Sequence, residues 1–394
     1  MQTSLIVALV VVLTLVVWAH FLYFAFLHAA VKLSHKKPSP SPPSRELPFV
    51  SVILSVYNEE FALPEKLANV LALDYPADRL EFLVASDGSS DRTTDIVAGS
   101  DDDRVRLLDY PSRRGRALVS NDAVEAARGE WLLFTDADTK MAPDFLHALL
   151  PHFLDQRVGV VDGKMICVNK ADSTIAEDVG FYWRYESALK QAESQLGWLS
   201  STFGACTAVR RSVFRPLLPT EDVDFTTPLD AVRDGYLVVH EPSAQVYEVT
   251  HGDLRTQFNA RVRMVTKNLP GTLRKIDGRL VRRPLVLFAL LSHKLLRWAT
   301  PVLLLAALAL NIALAAEGRF VPLLVAQLAF YLLVLVGGLA ETVGRSVPIA
   351  SSAFSFAVAN AGFLVGIVNS LRGVPITFYE PQHHAEPAVS DADD

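Results

Sequence analysis

The sequence predicts an α/β domain with a mostly parallel sheet, flanked by transmembrane helices. Between residues 48 and 277, short apolar runs alternate with amphipathic stretches. Strands that alternate with helices are typical of a parallel sheet covered by helices on both faces. Outside this region the chain carries long uncharged apolar stretches, and 51% of its 394 residues are hydrophobic but only 20% charged. Soluble domains seldom reach that balance, so we expect membrane-embedded segments.

The N-terminal segment, residues 1–31, contains no Asp, Glu, Lys or Arg. A bilayer is spanned by about 20 apolar residues, and we predict one transmembrane helix over residues 5–27. A cleaved signal peptide is the competing interpretation, but it needs a basic start, whereas here the basic residues follow the apolar run. Positive charge on that side predicts a cytoplasmic location for the domain that follows. A Pro/Ser-rich linker over residues 32–47 leads into the domain at residues 48–277.

The C-terminal part predicts three further transmembrane helices within residues 298–372. Ahead of them, residues 278–297 predict an interfacial helix, because the apolar stretch there is short and basic residues flank it. Four spans place the tail, residues 373–394, outside, although one span more or fewer would reverse that. The prediction is a multi-pass protein of the cell (inner or plasma) membrane with a cytoplasmic catalytic domain.

Charge and cysteine content exclude several classes of protein. The formal net charge is -6, and basic residues are not concentrated on any soluble segment, which argues against a nucleic-acid partner. Cys167 and Cys206 are too few and too far apart for a disulfide framework or a cysteine zinc site. A reducing, cytoplasmic setting fits this usage.

Polar motifs follow three of the predicted strands, which we place at residues 50–56, 81–86 and 131–135, with another strand at 105–109. The motifs are Tyr57-Asn58-Glu59, Asp87-Gly88-Ser89-Ser90-Asp91 and Asp136-Ala137-Asp138. Ligands bind beyond the carboxyl ends of parallel strands. No glycine-rich phosphate loop is present, so a bound nucleotide diphosphate would need a divalent cation to neutralise its charge. We predict that Asp138 holds this cation, with Asp136 close by. Asp87 is then available to the base or ribose, and Tyr57 offers a stacking face.

This arrangement resembles the family 2 glycosyltransferases, the inverting, membrane-attached group that includes cellulose, chitin and hyaluronan synthases. Beyond the motifs above, the resemblance is carried by Arg114-Gly115-Arg116-Ala117 with Asn121, Gly129-Glu130, Gly159-Val160-Val161-Asp162-Gly163 and the segment from Gly204 to Arg211. It implies a GT-A-like nucleotide-diphospho-sugar transferase fold. It also implies a hexosyltransferase with a nucleotide-sugar donor, UDP-linked, and Mg or Mn as cofactor.

The resemblance also implies roles for individual residues. Asp87 would contact uracil, Asp136 the nucleotide and Asp138 the metal. Arg116 stands where the family usually has Lys, a change that keeps the charge. Tyr57 and Glu59 complete the predicted nucleotide-sugar site.

Two carboxylates compete for the role of catalytic base. The base of the family is the Asp of a Thr-Glu-Asp motif, which occurs here as Thr220-Glu221-Asp222. It normally lies eleven positions before the Gly of a Gly-aromatic pair, and counting back from Gly235 gives Asp224. We favour Asp224 over Asp222. The alternative for Asp224 is an N-cap of a helix over residues 225–233.

The Gln-x-x-Arg-Trp motif of the processive synthases is incomplete in this chain. Arg263-Met264 stands in for Arg-Trp, and Ala260 occupies the Gln position. The resemblance predicts phosphate contacts from Arg263 and Arg261, with a solvated basic helix face as the alternative. Aromatic residues and the interfacial helix favour a processive polysaccharide synthase, whereas the missing Trp favours a single-sugar transferase acting on a lipid-linked or short glycan acceptor. The predicted partners are the donor, that acceptor and membrane lipid.

Two other classes fit the sequence less well. Haloacid-dehalogenase-type phosphatases also place Asp-x-Asp after an apolar strand and use the first Asp as nucleophile. Their motif wants Thr or Val where this chain has Lys140, and it normally opens the domain. A non-catalytic membrane protein would leave the ordered acidic motifs unexplained.

Overall fold

The computed structural model describes residues 2–34, 47–169, 174–250 and 254–376, which divide into two compact units. The helical unit comprises Met1–Lys37, Cys167–Leu199 and Thr250–Pro375, and the sheet unit comprises Pro38–Ile166, Ser200–Val249 and Ile376–Asp394. Most of the predicted linker and of the predicted tail lies outside the described residues. The predicted domain at residues 48–277 is divided between the two units, because the segment Cys167–Leu199 and the chain after Thr250 group with the apolar helices.

One eight-stranded sheet forms the sheet unit. Its strands are β1 (Val50–Val56), β2 (Leu80–Ser86), β3 (Val105–Asp109), β4 (Trp131–Thr135), β5 (Thr139–Met141), β6 (Val158–Asn169), β7 (Thr207–Arg210) and β8 (Leu237–Thr250). The order is β3-β2-β1-β4-β7-β6-β8-β5, and the four strands from β3 to β4 are parallel. β7 pairs antiparallel with both β4 and β6, as β5 does with β8. The predicted α/β class with a mostly parallel sheet is confirmed.

Three of the four parallel strands, β1, β2 and β4, follow from apolar runs that are buried on both faces. Every residue of β2 and β4 is buried, and in β1 only Ser55 is partly exposed. Continuous apolar strands of this kind are covered by helices on both sides of the sheet. The helices of the sheet unit are numbered in chain order after α1 and α2 of the helical unit: α3 (Leu63–Leu71), α4 (Thr93–Ala98), α5 (Arg116–Ala126), α6 (Phe145–Leu149) and α8 (Val223–Arg233).

Among the residues that the structure describes, the helical unit contains four helices that are long and apolar enough to cross a membrane. These helices are Gln2–Leu33, Pro284–Ala315, Val321–Thr342 and Pro348–Leu371. Gln2–Leu33 consists of α1 (Gln2–Val17), a π-helical turn (Trp18–Leu22) and α2 (Tyr23–Leu33). The helix Pro284–Ala315 contains α11 (Pro284–Leu290) and α12 (Leu296–Ala315), and the last two spans are α13 (Val321–Thr342) and α14 (Pro348–Leu371). The unit also contains α7 (Thr174–Leu196), α9 (Leu254–Lys275) and α10 (Gly278–Val281). Helices of this length and composition are those of a membrane protein.

The predicted break between an interfacial helix and the next span is absent from the helix Pro284–Ala315. Here α11 continues through a π-helical turn, Leu291–Leu295, into α12. The polar residues of this turn interrupt the apolar run in the sequence and suggested a boundary near residue 297. Within the helix these polar residues have partners: Trp18 Nε1 donates to Ser292 Oγ at 3.1 Å, and α7 supplies partners for His293 and Lys294.

We call this group of side chains the Glu186 cluster: Glu186 and Glu193 of α7 with His293, Lys294 and Arg297 of the helix Pro284–Ala315. The two glutamates and His293 are buried, and the other two are partly buried. His293 Nε2 lies 3.1 Å from Glu186 Oε2, and its Nδ1 lies 2.9 Å from Glu193 Oε1. Arg297 Nη1 donates to Glu186 Oε2 at 2.9 Å, and Lys294 donates to the other oxygen of Glu186. From the sequence, the basic residues that flank this apolar stretch are expected at the lipid headgroups. In the structure two of them, Lys294 and Arg297, pair with Glu186 of α7.

Candidate active site

Three of the predicted motifs meet at one edge of the sheet. β1 is paired in parallel with β2 so that Val56 lies beside Ser86, and with β4 so that Leu54 lies beside Thr135. The motifs that begin at residues 57, 87 and 136 therefore leave neighbouring strands in the same direction. This is the edge at which parallel sheets bind ligands.

The first two motifs are hydrogen-bonded to each other. Asn58 has a left-handed backbone (φ 53°), a conformation that Asn tolerates better than most residues. Its amide N–H donates to Ser89 Oγ at 3.1 Å, and its side-chain oxygen accepts from the amide of Ser90 at 2.8 Å. The amide of Glu59 donates to Thr93 Oγ1 at 2.8 Å. These bonds fix the loop after β1 against the loop after β2.

Asp87 shapes the loop that leads into α5. Its carboxylate is 5% exposed and accepts from the amides of Arg114 at 2.5 Å and Gly115 at 3.0 Å. The next residue, Gly88, has a φ of +72°, and a Cβ there would lie 2.7 Å from the backbone of Ser112. Only glycine fits this close approach without strain. The predicted contact of Asp87 with uracil remains a prediction.

Tyr57 presents its ring to a guanidinium group. The Cζ of Arg113 lies 3.7 Å from the ring centroid, a cation–π distance. Arg113 therefore occupies one face of the ring, and the stacking of a base on Tyr57 remains a prediction. The sequence signal for Arg113 was the basic run before α5, which the predicted site did not include.

Arg116 interacts both with the acidic turn, Asp136-Ala137-Asp138 between β4 and β5, and with the two candidate bases. It begins α5 and forms an ion pair with Asp136. Attraction to Asp136, and then to Asp222 and Asp224, raises the pKa of Arg116. One guanidinium therefore stands in the field of the carboxylates predicted for nucleotide binding and of those predicted for catalysis.

Two further carboxylates lie in the field of the acidic turn. Burial, followed by repulsion from Asp138 and Asp136, raises the pKa of Glu59 to about 7. The same causes raise the pKa of Glu248 to about 8. Glu248 lies on β8 opposite Thr139 of β5, and the sequence did not suggest it, because it falls in a strand without a recognisable motif.

This concentration of negative charge suits a divalent cation with oxygen ligands. In the part of the chain that the structure describes, no three Asp, Glu, His or Cys side chains form a ready-made metal site. Mg²⁺ is usually held by one or two carboxylates together with substrate phosphates and water. The exposed Asp138, beside Asp136, fits that pattern better than an all-protein cage.

The two candidate bases lie at the start of α8. Asp222 occupies the N-cap position and Asp224 the second helical position, so the suggested N-cap role for Asp224 is not adopted. The backbone oxygen of Asp224 accepts from the amide of Thr202 at 2.9 Å. A Cβ on Gly204 would lie 3.6 Å from the carboxyl carbon of Asp224, which places that side chain beside the loop before β7.

Buried polar groups hold that loop. Asp162 of β6 accepts from the amide of Phe203 at 2.8 Å, and its second oxygen lies 3.2 Å from His240 Nδ1 of β8. Thr207 Oγ1 donates to Thr202 Oγ1 at 2.8 Å. The resemblance marked the segment that contains Asp162 without giving it this role.

The remaining predicted contacts, Arg261 and Arg263, lie on α9 of the helical unit. The Cζ of Arg261 stands 4.5 Å from the ring centroid of Tyr182 on α7. Their contact with phosphate remains a prediction.

Known glycosyltransferases are similar to this chain in sequence and in fold. Residues 51–218 match the family described as Glycosyl transferase family 2. A poly-beta-1,6-N-acetyl-D-glucosamine synthase of Staphylococcus aureus (strain COL) is 24% identical over 293 residues, 72% of this chain and 70% of the relative. An N-acetylglucosaminyltransferase of Rhizobium leguminosarum bv. viciae is 28% identical over 219 residues, 54% of this chain and 51% of that protein.

A solved structure covers almost the whole chain. It is a mannosyltransferase of Pyrobaculum calidifontis in complex with GDP-Man and Mn2+, with a TM-score of 0.68 and 25% identity over 93% of this chain and 99% of its own. The matched segment contains the strand-end motifs described above, and the predicted GT-A-like fold and glycosyltransferase activity are confirmed by these matches. Residues 51–218 therefore form a family 2 glycosyltransferase domain, and the four apolar helices fit a membrane-bound form of such an enzyme.

Proposed function

We propose that the protein transfers a sugar, with inversion, from a UDP-sugar to an acceptor at the cytoplasmic face of the cell membrane. One observation carries this proposal: Arg116 pairs with Asp136 while Asp222 and Asp224 act on the same guanidinium. A donor diphosphate at the acidic turn would therefore lie next to a carboxylate able to activate an acceptor.

The donor site is proposed at the ends of β1, β2 and β4. Tyr57 and Asp87 would face the nucleoside, and Arg116 and Asp136 the diphosphate. Asp138 would hold Mg or Mn, which when bound neutralises the departing diphosphate. The Pyrobaculum mannosyltransferase, which carries a nucleotide sugar together with Mn2+, supports a cation of this type.

Asp224 is proposed as the base. An inverting transfer needs a carboxylate to take the proton of the acceptor hydroxyl as its oxygen attacks the anomeric carbon. The amide of Thr202 binds the backbone oxygen of Asp224 and Gly204 lies beside its carboxyl group, so the base would stand next to the loop before β7. Asp222 is the alternative, because it contributes to the same field at Arg116.

The acceptor is proposed to be a glycan or a lipid-linked sugar reached from the membrane. Four helices of spanning length support a multi-pass protein, and the basic residues that follow the first apolar run support a catalytic domain in the cytoplasm. Arg261 and Arg263 of α9 would contact phosphate. The synthase of Staphylococcus supports repeated transfer, whereas the missing Trp of the processive motif supports a single transfer.

A GDP-sugar is the second candidate donor. The observation that favours it is the likeness, over 93% of this chain, to a mannosyltransferase solved with GDP-Man. The chemistry at the diphosphate would be the same, and only the contacts around Tyr57, Asp87 and Arg113 would differ.

The test is nucleotide release by the detergent-purified protein with Mg or Mn, across a panel of UDP-sugars and GDP-sugars. We expect one UDP-sugar to be turned over, with products sized by mass spectrometry to separate a ladder from a single addition. Turnover of a GDP-sugar alone would establish the second candidate. No release from any donor, in membranes that supply the native acceptor, would contradict both.

A further inference from the structure

A buried lysine lies beneath the acidic turn that joins β4 to β5. Lys66 belongs to α3 and is 1% exposed. Its Nζ donates to Thr135 Oγ1 at 2.7 Å, to the backbone oxygen of Thr139 at 2.8 Å and to Thr139 Oγ1 at 3.1 Å. An ammonium group has three donors, and all of them are used here.

The two threonines mark the two ends of the turn that carries Asp136 and Asp138. Thr135 is the last residue of β4 and Thr139 the first of β5. Thr139 Oγ1 in turn donates to the backbone oxygen of Asp136 at 3.0 Å. Lys66 therefore binds both ends of the turn from the buried interior, while Asp138 within the turn is exposed.

A second side chain of α3 binds the far end of β5. Asn69 Nδ2 donates to the backbone oxygen of Met141 at 2.9 Å, and Asn69 Oδ1 accepts from the amide of Met141 at 2.9 Å. Residues 66 and 69 are three apart and so share one face of the helix. Through them α3 holds β5 at both of its ends.

A buried ammonium is costly, so packing alone does not explain this residue. Desolvation of a charged group costs several kcal/mol unless hydrogen bonds and opposite charge compensate it. Burial lowers the pKa of Lys66 to about 7, while Asp136 and Asp138 act in the opposite direction and favour the charged form. A methionine would fill the same space without that cost.

We propose that Lys66 is a positioning residue for the donor site: it holds the turn from Thr135 to Thr139 so that Asp136 and Asp138 meet the diphosphate and its cation together. The inference rests on the proposed donor site. Residues that orient metal ligands from behind are typically worth about 10- to 100-fold in metal affinity or activity. Losing Lys66 should thus weaken cation-dependent nucleotide binding by about 10-fold or more.

The experiment measures the Kd of UDP and of GDP at fixed Mn²⁺, and the Mn²⁺ dependence of that binding, by calorimetry on the detergent-purified full chain. The test variant is Lys66→Met and its matched control is Lys140→Met. Lys140 lies in β5 and pairs with Glu65 of α3, but it is exposed. We expect the control to shift Kd by less than about twofold, since exposed ion pairs contribute little. In the nucleotide-release assay, we expect the test variant to raise the donor KM more than it lowers kcat.

The outcomes separate this inference from the proposed function. If the unmodified protein binds neither nucleotide with Mn²⁺, the proposed donor site is wrong and the inference falls with it. If it binds and Lys66→Met binds equally well, with only a lower melting temperature, Lys66 merely stabilises the fold and the inference alone is overturned.

A less disruptive variant covers the case in which Lys66→Met does not fold. Thr135→Val keeps the shape of the side chain and removes the acceptor at 2.7 Å. The loss of one hydrogen bond of ordinary strength should weaken UDP binding by roughly fivefold. Unchanged binding by a folded Thr135→Val protein would overturn the inference. Where both variants fold, the double variant should bind no worse than Lys66→Met, because the two changes remove the same interaction.

Discussion

Replacing Asp224 by Asn tests the proposed base with little change in shape. The variant keeps the backbone bond from Thr202 at 2.9 Å and the packing beside Gly204. It removes one negative charge from the first turn of α8, where the helix dipole favours acidic groups by about 0.3–1 kcal/mol. Arg116 keeps Asp136, its dominant partner. We therefore expect a stability loss within about 1 kcal/mol and a donor affinity within a few-fold of the original.

The expected loss of rate is far larger than that change in stability. General base catalysis contributes about 10²- to 10⁴-fold, which corresponds to about 2.7–5.5 kcal/mol in the activation barrier. Asp222→Asn is the matched control, because it removes a charge from the same field at Arg116. Asn is also as favourable as Asp at the N-cap position that Asp222 occupies. We expect this control to lose less than about tenfold in rate, since it removes charge near the site but not the base.

The assay is initial nucleotide release at saturating donor, together with the donor KM and the melting temperature of each variant. A 100-fold fall in kcat for Asp224→Asn, with donor KM and melting temperature preserved, would support the assignment. Asp224 is not the base if Asp222→Asn abolishes transfer while Asp224→Asn remains active. The assignment is also refuted if Asp224→Asn weakens donor binding as strongly as it lowers the rate.

Three further predictions follow from other parts of the sheet unit. Asp138→Asn should weaken Mn²⁺-dependent UDP binding at least about tenfold, and equal affinity with the metal present would contradict its role as a ligand. Gly129→Ala should lower the melting temperature by an amount equivalent to about 1–3 kcal/mol, because its Cβ would lie 2.7 Å from the backbone of β1, whereas Gly278→Ala, which meets nothing within 4 Å, should not. Although burial opposes it, hydrogen bonds from His152 and a nearby serine lower the pKa of Glu241 from 4.5 to about 2. The contribution of Glu241 to stability is therefore complete above pH 4.5 and lost as the pH falls towards 2. The melting temperature of Glu241→Gln should depend less on pH over that range.

The parallel half of the sheet could be predicted from the sequence, whereas the antiparallel half could not. β1, β3 and β4 begin and end at the predicted residues, because each is a short apolar run bounded by turn residues. β6 and β8 are longer and include buried polar groups such as Asp162 and His240, which satisfy each other only after the strands have come together. Tertiary pairing of this kind leaves no periodic signal in the sequence.

The candidate site shows the same division. Asp87, Asp136 and Asp138 could be recognised because ordered acidic motifs follow successive strands. Lys66 could not, because lysines in amphipathic helices usually face solvent and their burial depends on acceptors supplied by distant residues. Glu248 likewise comes near the acidic turn only through the pairing of β5 with β8.

The Glu186 cluster has a consequence for how the chain can be divided in the laboratory. In sequence, α7 lies inside the region that would be expressed to obtain a soluble catalytic fragment, yet its Glu186 pairs with Lys294 and Arg297 and its Glu193 lies 2.9 Å from His293, all on the helix Pro284–Ala315. A fragment that ends before residue 284 would retain Glu186 and Glu193 without those partners, and two groups that are now buried would require water. Such a fragment should expose the inner face of α7 and aggregate. Co-expression of the missing membrane helices should restore it, as complementation between two separately made pieces of one protein.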